Sequence, residues 1–278
     1  MEAPAKSGLS AERIKPKIGT HILNSKEDLL SGHLGPEIMD LLEKRGVLVF
    51  PEIGFTDAEH IAFTKTLGPF ARELRGEELY KVSLDEGENA TAEYLKAAFF
   101  WHFDGFMSPM PIRASLLAAK RVSPPGTGAT EICSTYAAYD ALPDADKEAL
   151  EGLRAVHALA ATQLDVTPEP SYNKWLEWRG IGRKELPLVW THRSGRKSLV
   201  IGNSAHAVLG MDPLDSEELL VRLRDFATRP EFTYSHDWKV GDLLLYDNTG
   251  TLHRATAYPL DCGRMLHRTK LEGDEPVV

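Results

Sequence analysis

His102, Phe103 and Asp104 form an HxD triplet, and far downstream His253 offers a second imidazole, followed by Arg264 with a fixed positive charge. Two imidazoles and one carboxylate can bind one face of a metal ion and leave the opposite face open, a donor set that suits a ferrous ion with positions free for chemistry. Alone, an HxD triplet is equally well a strand histidine hydrogen-bonded to a nearby aspartate, and a lone downstream histidine is a core residue. Together they are candidate ligands for one metal ion: His102, Asp104 and His253.

Successive side chains of a strand point to opposite faces, so His102 and Asp104, two apart, are expected on one face. The same alternation puts Phe100 and Phe106 on that face, near a substrate, and turns Trp101 and Phe103 into the core. His253 follows a buried strand and turn over residues 242–250. The next turn, 258–263, folds Arg264 and Arg268 back beside His253. These arginines are four apart and share a face, where one or both can meet a carboxylate in a paired, charge-assisted contact.

The elements that must carry these residues are short. Residues 36–45 have helical apolar spacing at Ile38, Leu41 and Leu42, with Gly46 where a C-terminal cap would sit. A strand is expected over 47–50. Thr56 and Glu59 have capping-box spacing ahead of a helix over 57–67. Further helices are expected over 144–157 and 215–228. Short β-like runs fall at 188–191, 198–202, 231–235, 242–247, 253–258 and 264–270. Many short strands with few helices predict a mainly β fold with flanking helices, a double-stranded β-helix or cupin-like jelly roll. Residues 1–18 read as a flexible arm and 19–278 as one domain, with lid-like insertions near 71–98 and 161–187.

The formal net charge of −9 and the absence of a long Lys/Arg run leave no footprint for nucleic acid. Cys133 and Cys262 lack metal-binding spacing and suit a reducing compartment. No apolar run approaches the ~20 residues that span a bilayer, and the N-terminus lacks a signal-peptide core. The expectation is a cytoplasmic protein with a small-molecule partner and neither nucleic acid nor membrane. Surfaces near 36–67 are available to pair subunits in a homo-oligomer.

Several stretches jointly resemble the taurine dioxygenase/2,4-D dioxygenase (TauD/TfdA) family of Fe(II)- and 2-oxoglutarate-dependent oxygenases. They are Leu67-Gly68-Pro69, Trp101-His102-Phe103-Asp104, the 124–130 segment ending at Thr130, the 136–143 segment, Trp238 to Asp242, and Asp247-Asn248 leading to His253-Arg254-Ala255. The resemblance runs from about residue 67 to 270. It implies that His102, Asp104 and His253 ligate iron, that Thr130 hydrogen-bonds 2-oxoglutarate, and that Arg264 pairs with its distal carboxylate. Arg268 falls where the taurine enzyme holds its substrate's anion, so it is assigned to substrate or co-substrate. His192 and His206 lie in stretches that approach the family's substrate side, and His206 joins Phe100 and Phe106 as a substrate-contact candidate. The family usually carries an acidic residue before the threonine, and here it is Ala129.

The resemblance implies a reaction in which Fe(II), O2 and 2-oxoglutarate hydroxylate a C–H bond of a small anionic molecule, a carboxylate or sulfonate, with release of succinate and CO2. Fragmentation of an unstable product is allowed. Related halogenases leave out the carboxylate ligand, and Asp104 is retained here, so oxygen insertion is implied. Two other readings stay open from the residues alone: a cupin-type hydrolase using Zn or Mn, and a non-catalytic 2-oxoglutarate-binding sensor on the same fold.

Overall fold

A computed structural model describes residues 8–73 and 76–278 of the chain. Its main sheet has eight strands. In spatial order they are Ala11–Arg13, Thr20–Ile22, Val47–Phe50, Leu243–Asp247, Ala114–Arg121, Met265–Leu271 and Phe70–Ala71, with Tyr80–Val82 also paired to Met265–Leu271. Thr130–Ser134, flanked by Thr233–His236 and Thr251–Ala255, forms a second, antiparallel sheet facing it. Two smaller sheets, Ala205–Val208/Arg154–Ala158/Arg183–Pro187 and Val189–Thr191/Lys197–Leu199, extend this second layer. The architecture is the expected jelly roll.

The central strands are largely apolar on both faces because both faces are covered. Leu48, Phe50, Leu116, Ala118, Leu243 and Leu245 pack against the helices Lys26–Leu30, Gly35–Arg45 and Asp57–Leu67. Val47, Val49, Leu117, Ala119, Leu244 and Tyr246, of the opposite parity, pack inward against Ile132 of the second sheet. Leu266 belongs to this inner set, so Arg268, two residues on, also points inward. His267, Thr269 and Leu271 point outward to the helices. There Thr269 Oγ1 lies 2.6 Å from Thr64 Oγ1 and 2.9 Å from His60 Nε2, and His267 Nδ1 lies 2.8 Å from Asp57. This polar seam fixes the strand that carries the arginines to the Asp57–Leu67 helix, which begins with the expected Thr56/Glu59 capping box.

Two expectations need correction. The arm does not extend to residue 18: Ala11–Arg13 pairs with Thr20–Ile22, Ile18 is buried, and Arg45 donates to the carbonyls of Lys15, Pro16 and Gly19. The anchor is a distant arginine and leaves no local periodicity. Residues 1–7 lie outside the described residues. The helix expected over 144–157 stops at Leu150, where Gly152 at φ 75° turns the chain into the Arg154–Ala158 strand.

The insertion near 71–98, of which 74 and 75 lie outside the described residues, has structure of its own. Tyr80–Val82 joins the main sheet, and Ala92–Leu95 continues into a 3-10 turn, Lys96–Phe99. The 161–187 stretch holds most of the helix Leu159–Val166, the helix Tyr172–Gly180 and the strand Arg183–Pro187. Among the described residues no helix is long and apolar enough to cross a membrane.

Burial pushes His60 and His157 down to about 3 and His192 to about 4, so all three are neutral inside the fold. The unfolded chain binds these protons near the ordinary value of 6.5, whereas the fold does not until its own depressed values are reached. Stability is therefore full above about pH 6.5 and is lost as the pH falls toward 3. Urea denaturation of the metal-free protein is expected to show at least about 1 kcal/mol lost per pH unit between roughly pH 6 and 4. A flat profile across that window would contradict neutral burial of these rings.

Candidate metal centre

His102 and His253 are brought together by the backbone. His102 N donates to His253 O at 3.1 Å and His253 N donates to His102 O at 2.8 Å, an isolated antiparallel bridge that sets the rings 4.1 Å apart. The expectation of an extended strand through 102–104 is not met: only residue 102 bridges, and the chain turns at Asp104 and Gly105. Convergence survives because Asn248 clamps the turn. Its Oδ1 accepts from Asp104 N at 2.8 Å, and its Nδ2 donates to the carbonyls of Asp104 and Ile112 at 2.8 and 3.0 Å. Gly202 lets the neighbouring segment close on the site, since a Cβ there would stand 3.1 Å from Trp101 O and 3.4 Å from His102 Cα, and its φ of +135° itself favours glycine.

The donor atoms of His102, Asp104 and His253 all lie within 4.8 Å of one another. His102 Nε2 is 3.9 Å from Asp104 Oδ1, and His253 Nε2 is 3.9 Å from Asp104 Oδ2. His102 Nδ1 donates to Phe100 O at 2.8 Å, which leaves a lone pair on Nε2 facing the carboxylate. Burial pushes His253 down to about 3, so it too is neutral and a ready ligand. Burial alone would raise Asp104, but the Arg268 guanidinium first, and then the adjoining His253 and His102 rings, outweigh it and hold the carboxyl at about 2. An ionised carboxylate with two imidazoles fits a divalent cation.

Beyond the triad a cavity of about 90 Å³ is lined by His102, Asp104, His253, Thr130, Arg264 and Arg268, among others. Thr130 opens the Thr130–Ser134 strand and accepts from Trp238 Nε1 at 3.0 Å. Arg264 is 3% exposed, with its guanidinium 4.8 Å from the Tyr258 ring and no hydrogen-bond partner for Nε. A buried cation with donors to spare is prepared for an anion. Tyr246, on the same cavity, places its hydroxyl 3.3 Å from His253 Nε2; burial and then the Asp104 charge raise its pKa, so it remains a donor.

Arg268 Nη1 donates to Asp104 Oδ2 at 3.3 Å, and Nη2 meets both oxygens of Glu73 at 3.2 Å. Alternation along a strand does not hold past residue 102, and the aromatic expectations shift with it. Trp101 and Phe103 are in the core as expected, but Phe106 also packs against that core and against His157. Phe100 is 37% exposed, and His206 is exposed on the Ala205–Val208 strand; neither they nor Phe106 line the cavity. His192 is a buried structural residue, its Nε2 2.8 Å from Ser198 Oγ. Asn248, Trp238, Tyr246 and Glu73 are the site's neighbours that spacing did not single out. Asn248 and Trp238 lay within recognisable stretches without an assigned role, and Glu73 had no signal.

The chain matches the model of the family described as "Taurine catabolism dioxygenase TauD, TfdA family" over residues 10–270. It is 34% identical over 240 residues to an (S)-phenoxypropionate/alpha-ketoglutarate-dioxygenase of Sphingobium herbicidovorans, covering 82% of each chain. It is 35% identical over 260 residues to an alpha-ketoglutarate-dependent 2,4-dichlorophenoxyacetate dioxygenase of Cupriavidus pinatubonensis, covering 87% of this chain and 89% of that one. The crystal structure of AAD-2 in complex with Mn(II) and N-oxalylglycine superposes with a TM-score of 0.82 at 30% identity, covering 97% of this chain and 99% of that one.

Titration of the metal-free protein with Mn(II), followed by calorimetry, is expected to show one site whose affinity falls by more than about 100-fold in His253→Ala or Asp104→Ala. Undiminished binding in either variant would remove the triad as the site.

Proposed function

Because the chain belongs to the TauD/TfdA family of dioxygenases, we propose that its His102, Asp104 and His253 hold the catalytic iron and that it hydroxylates an aryloxyalkanoate or a similar small organic anion. The enzyme is a non-haem Fe(II)- and 2-oxoglutarate-dependent dioxygenase. The observation that carries the assignment is the convergence of the three donor atoms beside a cavity that is also lined by one buried and one half-buried arginine, Arg264 and Arg268. The described residues, the Ala11–Arg13 strand included, are read as one catalytic domain, supported by core clusters that draw on segments far apart in the chain.

Iron with 2-oxoglutarate and O2 supplies the oxidising power, releasing succinate and CO2. The chain's residues supply position, charge and shielding. Arg264 is assigned the distal carboxylate of 2-oxoglutarate: it is buried and cationic and has an unused donor. Thr130 Oγ1 already accepts from Trp238, which leaves its own hydroxyl proton free to donate to the same carboxylate. N-oxalylglycine is the NH isostere of 2-oxoglutarate, so its presence in the AAD-2 structure supports a keto-diacid in this cavity.

Arg268 is assigned to substrate. It lies on the inner face of the Met265–Leu271 strand beside Asp104, and the relatives named above are dioxygenases of phenoxypropionate and 2,4-dichlorophenoxyacetate, both carboxylates. Water exclusion falls to the Tyr80–Val82 strand and the helical turns over 92–99, which contribute Val82, Leu95 and Ala98 to the cavity wall.

With Fe(II), 2-oxoglutarate, ascorbate and O2, succinate release is expected to depend on an aryloxyalkanoate. Arg264→Ala should raise the KM for 2-oxoglutarate, and Arg268→Ala the KM for the organic anion, each by roughly 10–100-fold, the loss typical when a charge-assisted partner is removed. An Arg268→Ala enzyme whose KM changes only for 2-oxoglutarate would reassign that residue to the co-substrate. Ester hydrolysis with Zn and no succinate would return the site to the hydrolase reading.

A further inference from the structure

Arg268 stands between two cavities. It lines the one of about 90 Å³ around the triad and, on its outer side, a second of about 540 Å³, where Glu73, Glu77, Tyr80, Asn89 and Tyr94 are also found. Glu73 lies just past the Phe70–Ala71 strand, and its carbonyl accepts from Gly76 N at 2.9 Å. Its side chain is only 10% exposed. Both its oxygens face Arg268 Nη2 at 3.2 Å, and Oε2 also accepts from Lys270 Nζ at 2.8 Å. The metal and co-substrate assignments make no use of Glu73. Yet it holds the guanidinium as a substrate carboxylate would.

A charge count shows what this contact does. Within the cluster the negative charges of Asp104 and Glu73 are matched by the positive charges of Arg268 and Lys270, so the site is balanced without ligands. A ferrous ion adds two positive charges, the 2-oxoglutarate dianion cancels them, and Arg264 leaves one positive charge over. A single substrate anion restores neutrality with Glu73 still ionised. Glu73 can release Arg268 without being stranded as an unpaired buried charge, because Lys270 holds it independently.

We propose that Glu73 is a specificity-determining residue, a resident carboxylate that occupies Arg268 until an organic anion arriving through the outer cavity takes its place. The inference rests on the assignment of Arg268 to substrate. A neutral molecule has nothing to offer the guanidinium in exchange and leaves the pair closed, so the contact weakens the binding of organic anions by the strength of the internal competitor, leaves neutral ligands untouched, and thereby sets how strongly the site prefers an anion.

The test is direct binding of 2,4-dichlorophenoxyacetate to the enzyme loaded with Mn(II) and 2-oxoglutarate, measured by calorimetry. Glu73→Gln keeps the shape and removes the charge, and is expected to lower the Kd by about tenfold. Binding of the corresponding neutral amide should stay within about twofold. Glu77→Gln, on the same cavity but not bonded to Arg268, should change the carboxylate's Kd by less than about twofold. Glu73→Asp, with a shorter reach, should tighten binding by a smaller factor and serves as the second variant should the amide substitution impair folding.

Unchanged or weaker carboxylate binding in Glu73→Gln, no binding at all in that variant, or equal tightening in Glu77→Gln would overturn the proposal. Failure of the functional assignment would appear differently, as wild-type enzyme that releases no succinate with any organic anion, whatever the ratio of the Kd values.

Discussion

One antiparallel backbone bridge governs this site. His102 and His253 exchange amide hydrogen bonds in both directions, and through them two segments that are remote in the chain present imidazoles at a fixed spacing. Side chains alone would not hold such a spacing, since each imidazole has its own rotamers. With the backbones locked, His102 is further fixed by its bond to Phe100 O, and Asp104 by the Asn248 clamp on the turn that follows. The donor set is therefore preorganised by main-chain geometry and is approached closely by the main chain at Gly202.

The second determinant is the two-sidedness of the Met265–Leu271 strand. Its inner face bears Leu266 and Arg268, with Arg264 just ahead, while its outer face is tied to the Asp57–Leu67 helix by Thr269, His267 and their partners. A strand presenting buried guanidinium groups to one side loses favourable energy unless those charges find partners. Arg268 finds Asp104 and Glu73; Arg264 has the Tyr258 ring face and an unused Nε donor. The difference between the two arginines is itself informative, because the one left with a spare donor is the one suited to a tightly held co-substrate.

Much of this could be read from residue types and spacing. The triad, the shared face of Arg264 and Arg268, the capped helix after Thr56 and the many short strands were all legible, because each leaves a local pattern. What was illegible depends on pairing across the chain. Asp104 comes beside the two imidazoles through a turn rather than a strand, so the alternation argument grouped these three side chains and misplaced Phe106. Glu73 and Asn248 sit in segments with no period, and their roles appear only when the partners Arg268 and Asp104 are close in space. The short strand at Ala11–Arg13 was missed for the same reason, since the segment that returns it to Thr20–Ile22 is held by Arg45.

The central claim is that one metal ion and one keto acid share the cavity bounded by the triad and Arg264. A 2-oxoacid chelated to ferrous iron through its keto oxygen and carboxylate gives a charge-transfer absorption in the visible that neither component shows alone. Anaerobic addition of Fe(II) and then 2-oxoglutarate to the metal-free protein is predicted to develop this band with one equivalent of each. A colourless solution in which both nonetheless bind would show that they do not meet at this site and would contradict the account.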